Sequence, residues 1–193
     1  AGTRWFSQSH WLRSEKLTRR ESIQHVDSTF FDVFSFRVLA GNGPAAVQTE
    51  DAVVLTKSTA EAYFGEENPI GQVLDVDQGA EAWTVVGVVA DPPPNSTLQF
   101  TMLTSVENAP QRLDPNGAAH WYNSNMPTYL RVAEGTDEAV LLAKLQDFKD
   151  RHYVRYEEAT ADLVLLPLKR YYLETAGGME PILYLLGGIG LVI

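Results

Sequence analysis

A mixed α+β domain is what the sequence predicts, and three observations predict it. Short runs rich in β-branched residues alternate with runs of helical period along most of the chain. Hydrophobic residues make up 45% and charged residues 21%, the composition of a packed globule rather than of a disordered chain. The 193 residues are enough for one sizeable domain or two small ones.

The elements follow in order. Glu21–Val26 predicts a short strand, and Asp27 or Ser28 caps a brief helix through Phe34. Ala52–Leu55 is an apolar strand that runs into a helix. Thr56 or Ser58 is its expected cap, Ala60, Ala62, Tyr63 and Phe64 recur at helical spacing, and Gly65 follows as the stop. Val73–Val76 and Trp83–Val89 predict strands, with Gly87 marking a bulge or a close backbone approach. Asp91-Pro92-Pro93-Pro94-Asn95 is a stiff loop with few free backbone donors. Strands are expected at Leu98–Leu103 and Thr128–Val132, with irregular chain over 107–126 between them. Thr136 is the expected cap of a helix whose Asp137 and Glu138 suit the positive end, and whose Val140, Leu141, Leu145 and Phe148 repeat helically. Leu163–Leu166 is the last expected strand.

Charge narrows the function classes. The formal net charge is −10, so the surface repels phosphate backbones and nucleic-acid binding is not expected. The first twenty residues depart from this, with Arg4, Arg13, Lys16, Arg19 and Arg20 against Glu15 alone. Such an end reads as a solvated surface segment or as one able to face anionic headgroups, with Trp5 and Trp11 suited to core packing or to a membrane interface. Pro181–Ile193, PILYLLGGIGLVI, carries no charge and reads as the start of a transmembrane helix. Opening on Ala1, the chain reads as a fragment or a processed product.

No motif for chemistry emerges. With no cysteine, disulfides, thiolate nucleophiles and Cys-ligated zinc are excluded. His10, His25, His120 and His152 lack the spacing of a metal motif and read as scattered surface or partly buried side chains. There is no G-x-S-x-G elbow and no phosphate-binding G-x-x-x-x-G-K-[ST] loop. Glu66-Glu67, and Asp75 with Asp77 on one side of a strand, read as solvated carboxylates.

Several segments, in order, resemble the extracytoplasmic core domain of MacB-like and FtsX-like bacterial ABC transporter permeases. They are Val26–Phe36 with Phe30, Phe31 and Phe34, then Leu39-Ala40-Gly41. Val53–Thr56 follows, then Tyr63-Phe64-Gly65 and Asn68-Pro69-Ile70-Gly71. Next come Trp83–Asp91 with Gly87, Asn95-Ser96, Thr128–Val132, and Pro167-Leu168 with Tyr172-Leu173. The resemblance spans about residues 24–193. Related chains often carry His after the Asn-Ser pair, where this one has Thr97, and 107–125 matches nothing in the pattern. By their residue types the motifs are structural. Pro69 and Gly71 suit a turn, and the phenylalanines a large apolar anchor.

The resemblance implies two mixed α/β subdomains. One, porter-like and membrane-proximal, is built from both chain ends (1–27 and 123–176). The other, β-rich, is inserted at 28–122, and 177–193 begins a membrane helix. It also implies a non-catalytic domain in the bacterial inner membrane, facing the periplasm, with no cofactor. Such a domain transmits ATPase-driven motion. Its partners would be an ABC ATPase domain or subunit, a second permease copy, a periplasmic adaptor or lipoprotein, and the membrane through flanking helices. The alternative is a stand-alone module that captures a peptide or lipid at a strand edge or an aromatic groove.

Overall fold

The chain begins with a strand that its own polar residues conceal. In the computed structural model, which describes residues 1–108, 127–152 and 164–175, β1 (Gly2–Arg13) and β2 (Thr18–Val26) form a long antiparallel hairpin. It is paired from Trp5↔Val26 to Arg13↔Thr18. On β1, Phe6, His10 and Leu12 are buried while Ser7, Ser9 and Trp11 face solvent, the period of two that a half-buried strand requires. Two of the inward positions are Gln8 and His10, so hydrophobic alternation is weak and the strand is hidden in the sequence.

Next come α1 (Phe30–Val33), β3 (Val38–Gly41), α2 (Gly43–Ala46), β4 (Ala52–Thr56), α3 (Lys57–Phe64), β5 (Val73–Val76) and β6 (Glu81–Val89). β7 (Met102–Ser105) then leads into a 3₁₀ turn at Val106–Asn108. β8 (Thr128–Leu130), α4 (Glu138–His152) and α5 (Leu168–Thr175) complete the described elements. The strands join one eight-stranded sheet whose pairings close on themselves, from β1 through β2, β7, β4, β6 and β5 back to β1. The β2–β7 and β4–β6 pairs are parallel and the rest of the ring is antiparallel. β3 adds to β6, and β8 to the start of β1. Closure leaves few open strand edges, the usual protection against unwanted pairing.

Two apolar clusters cover the two faces. Leu12, Ile23, Val53, Leu55, Leu74, Val76, Trp83, Val85 and Met102 form one with Ala60, Tyr63 and Phe64 of α3. Val26, Val54, Val89 and Leu103 form the other with Phe30, Val47 and Phe100. Adjacent residues of β4 alternate between clusters, Val53 and Leu55 on one and Val54 on the other. β6 changes parity: Val53 pairs with Val85 but Val54 with Gly87, so Val86 is an extra residue in a bulge.

Contact density divides the chain into two units. The first holds Ala1–Pro94 with Leu98–Ala133, and the second Asn95–Thr97 with the chain from Glu134 onward. The second contributes α4 and α5. No described helix is long and apolar enough to cross a membrane. The apolar run at 181–193, most of the 107–126 stretch and Leu163 lie outside the described residues.

Several expectations are corrected. Asp27 and Ser28 do not cap α1: Thr29 holds that position without a side-chain bond, and the Asp27 carboxylate instead accepts from the Arg4 backbone N–H and guanidinium. Thr56 holds the N-cap position of α3 as expected but its side chain makes no capping bond; Asp91 Oδ1 of the proline-rich loop instead accepts from the Ser58 N–H at 3.2 Å and its hydroxyl at 2.5 Å. Asp137 rather than Thr136 caps α4, accepting from the N–H groups of Ala139 and Val140 at 2.8 and 3.2 Å. The strand expected at Leu98–Leu103 begins four residues later and ends two later, at Met102–Ser105, where Leu103 pairs with Gln24 and Val54. The strand expected at Leu163–Leu166 is absent from its described residues, and α5 follows from Leu168. Asp77 does not share a strand side with Asp75: β5 ends at Val76, and Asp77 turns with φ 50°.

Most cations of the basic amino-terminal segment have an acidic partner within the fold. Arg4 pairs with Asp27, Arg13 with Asp75, Lys16 with Glu67 and Arg19 with Glu21. The basic partners of these pairs are exposed, so each pair contributes at most about 1 kcal/mol, but the four together offset the local charge excess. Trp5 is half-buried against Phe30 and Phe100, a packing role, while Trp11 stays 47% exposed.

Candidate functional site

The motif residues converge in part. Phe30 is fully buried and its ring lies 5.2 Å from both Phe31 and Phe34. Phe36 stacks nearly parallel to it at 5.8 Å, and Phe34 meets Tyr129 edge-on at 5.2 Å. Close by, Gly41 of β3 pairs with Gly87 of β6. A Cβ at Gly87 would stand 3.0 Å from the backbone of Gly43, and one at Gly43 would stand 3.2 Å from the Phe31 ring. The Asn-Pro-Ile-Gly turn reaches the same place. Ile70 packs over Gly41, and the Gly71 N–H donates to Val85 O at 2.8 Å. Inside the turn, Ile70 N–H donates to Asn68 Oδ1 at 3.1 Å and Gln72 N–H to Pro69 O at 3.0 Å, with Gly71 at φ 85°. Three motifs far apart in sequence thus lock one β3–β6 junction.

The other motif residues lie elsewhere. Phe64 is buried in the apolar cluster that includes Leu12 and Ile23 of the hairpin, and Gly65 ends α3 at φ 67° with its N–H on Glu61 O at 2.8 Å. Lys16 donates to the Phe64 carbonyl at 2.8 Å, a cation on the negative end of the helix. Asn95 is exposed and Ser96 half-buried, in the other unit. The convergent residues are apolar rings, glycines and backbone amides, which hold a shape and offer no nucleophile or base.

One polar group was missed in the sequence. His10 and His25 are 2% and 0% exposed, with ring centres 5.7 Å apart. Phe6 stacks on His25 at 4.7 Å, and Trp83 meets both imidazoles edge-on at 5.3 and 6.2 Å. His10 Nδ1 lies 2.8 Å from Asp77 Oδ2, and His25 Nδ1 lies 3.3 Å from the Ser105 carbonyl. The histidines are fifteen residues apart in sequence and not opposite each other in the hairpin, where His10 faces Glu21 and His25 faces Phe6; their rings meet inside the closed sheet, against Trp83. Burial, aided by the neighbouring His10, pushes His25 down to about 4 despite its bond to Ser105.

That shift has a sign. The unfolded imidazole binds its proton near pH 6.5 and the folded one near 4, so folding disfavours the charged form. Stability is complete above pH 6.5 and falls as the pH drops toward 4, by about 2 kcal/mol between pH 7.5 and 5. Urea midpoints across that range should show the slope, and His25→Phe should flatten it. An equal slope in the variant would assign the effect to other groups.

Residues 3–148 match the MacB-like periplasmic core domain family. Three solved structures resemble the fold. A domain assigned to a permease protein from Porphyromonas gingivalis is 23% identical with a TM-score of 0.65, the overlap covering 80% of this chain and 65% of that one. The chain thus spans about 65% of that domain's length. The periplasmic region of MacB from Actinobacillus actinomycetemcomitans is 17% identical with a TM-score of 0.63, covering 92% and 76%. The extracellular domain of the noncanonic ABC-type transporter YknZ from Gram-positive bacteria is 16% identical with a TM-score of 0.52, covering 80% and 76%. At these identities the likeness is one of fold. No curated protein matches the chain. With the family match extending over well more than half of its residues, the chain belongs to the MacB-like periplasmic core domain family.

Proposed function

We propose that this chain is the extracytoplasmic part of an ABC transporter permease of the bacterial inner membrane, and that it passes ATPase-driven motion to export partners without chemistry of its own. The observation that carries the reading is the family match over residues 3–148. A sheet closed by mutual pairing, with the β3–β6 junction locked by three motifs, suits a body that moves without deforming. In this reading ATP is hydrolysed in a separate domain or subunit. A second permease copy and a periplasmic adaptor or lipoprotein are the protein partners, and membrane attachment is through flanking helices, one of them beginning at 177–193.

The reading keeps two subdomains, one from both chain ends (1–27 and 123–176) and one inserted (28–122). Pairing of Gly2–Arg4 with Thr128–Leu130 favours a joint contribution of the two ends. The far end of β1 pairs with β5 of the inserted part, so the hairpin would serve both.

The test uses the complete permease with its ATPase. A cross-link tying this domain to its copy should stop export while ATP hydrolysis continues. Export that proceeds unchanged through the cross-linked domain contradicts the proposal, as does a hydrolase activity that one carboxylate substitution removes. Micromolar binding of a peptide or lipid by the isolated monomeric chain would favour the capture module instead.

A further inference from the structure

Trp11 stays out of the cores that Trp5 and Trp83 join. It stands 47% exposed on the outward face of β1. In the hairpin register it lies opposite Arg20, so the two side chains share that face. Arg20 is exposed, and so is Glu15 in the turn of the same hairpin. Among the described residues neither has an ion-pair partner, unlike Arg4, Arg13, Lys16 and Arg19. Tryptophan and arginine are the residue types in which protein–protein contacts concentrate their energy.

Beside this pair lies a hollow. Arg13, two residues along β1 on the same outward face, lines an open depression of about 650 Å³ together with residues of β5 and β6. Gly79, Ala80 and Ala82 line it with small side chains and so leave room, and Val73 adds an apolar wall that is 54% exposed. Glu15, Asp75 and Glu81 line it as well, three carboxylates against the single guanidinium of Arg13. That guanidinium already pairs with Asp75, which leaves the hollow anionic. One outward face thus carries an indole and a cation at one end and an anionic hollow at the other.

A partner of one charge sign would match one end of this face and be repelled by the other. Anionic lipid headgroups meet the same objection at the hollow. A second copy turned by a two-fold axis presents the same features in reverse order, as an isologous contact requires. We infer that this face is such a contact between two copies of the chain. Trp11 of each copy enters the hollow of the other, and Arg20 of each meets Glu15 of the other. The inference rests on the second permease copy of the proposed function only for its setting; charge and shape at this face carry it.

Like net charges of −10 oppose the approach of two free chains, which makes covalent trapping the suitable readout. The full chain has no cysteine, so one introduced thiol reports alone. An Arg20→Cys chain is mixed with a Glu15→Cys chain of different tag length and treated with a short bismaleimide. The second Arg20–Glu15 pair of the contact survives in that mixture. The mixed dimer should form about 5–10-fold faster than either homodimer. Trp11→Ala in both chains should slow it by about 10-fold or more. Lys57→Cys, exposed on α3, should show no such preference with either chain. All four positions are exposed, so folding is not at stake. Equal rates for mixed and like dimers, or a mixed dimer indifferent to Trp11→Ala, would overturn the contact and leave this face to another protein or to solvent. Neither export nor ATP hydrolysis enters the measurement, so failure here and failure of the permease reading are told apart.

Discussion

Phe30→Ala should lower the unfolding free energy by about 3–5 kcal/mol. The side chain is fully buried, and its ring is surrounded by Trp5, Phe31, Phe34, Phe36 and Phe100, all with centres within 6.4 Å. Truncation removes the ring that these others share. Large neighbours cannot rotate into the space without breaking their own contacts, so most of the cavity would persist. Phe30→Leu refills much of the volume and should cost well under half as much. Urea titration at constant m-value measures both. A loss below about 1 kcal/mol for the alanine variant would mean that the cluster is not organised around Phe30.

Gly41→Ala should cost about 3–4 kcal/mol, an unusually large effect for one added methyl group. Two penalties combine. The residue has φ 68°, where an L side chain is strained by about 1–2 kcal/mol. Its Cβ would also stand 2.2 Å from the Val86 carbonyl oxygen and 2.9 Å from Ile70 Cδ1. Ile70 is able to move aside. The carbonyl is not, because it accepts the Asn42 N–H at 2.9 Å and belongs to the β6 bulge. Gly71→Ala isolates the first penalty, since φ is 85° there but nothing lies within 4 Å of the added carbon. It should cost no more than about 2 kcal/mol. Equal losses at the two sites would show that the β3–β6 contact contributes nothing beyond backbone strain.

The two variants touch residues whose importance is legible in the sequence to different degrees. Four phenylalanines within seven residues announce an apolar anchor before any fold is known. Gly41 announces only conformational freedom. That it lies against Val86 and Ile70 depends on β3 pairing with β6, a contact between segments more than forty residues apart. β3 itself has four exposed residues and no hydrophobic pattern, so nothing local marks it as a strand. Its partner creates it.

The helix caps teach the same lesson at shorter range. Propensity places a capping residue next to the helix, and at α4 this is right to within one residue, since Asp137 stands beside Thr136. At α3 the oxygen that receives the Ser58 N–H belongs to Asp91, thirty-three residues away. Hydrogen bonds there raise the charged form's stability enough to outweigh burial, so the Asp91 carboxyl is held below its ordinary range. A local rule has no access to a partner that the fold delivers from a distance.

What the sequence determined by itself was the α+β class, the strands β4, β5 and β6, the glycine-marked bulge and the family resemblance. Each depends on side-chain type and period within a short window, which a linear reading contains. Tertiary structure alone decided that most cations of the basic hairpin have acidic partners, that three motifs meet at one junction, and that the rings of His10 and His25 meet. These depend on register and closure of the sheet, where one residue of slip would turn every side chain to the opposite face.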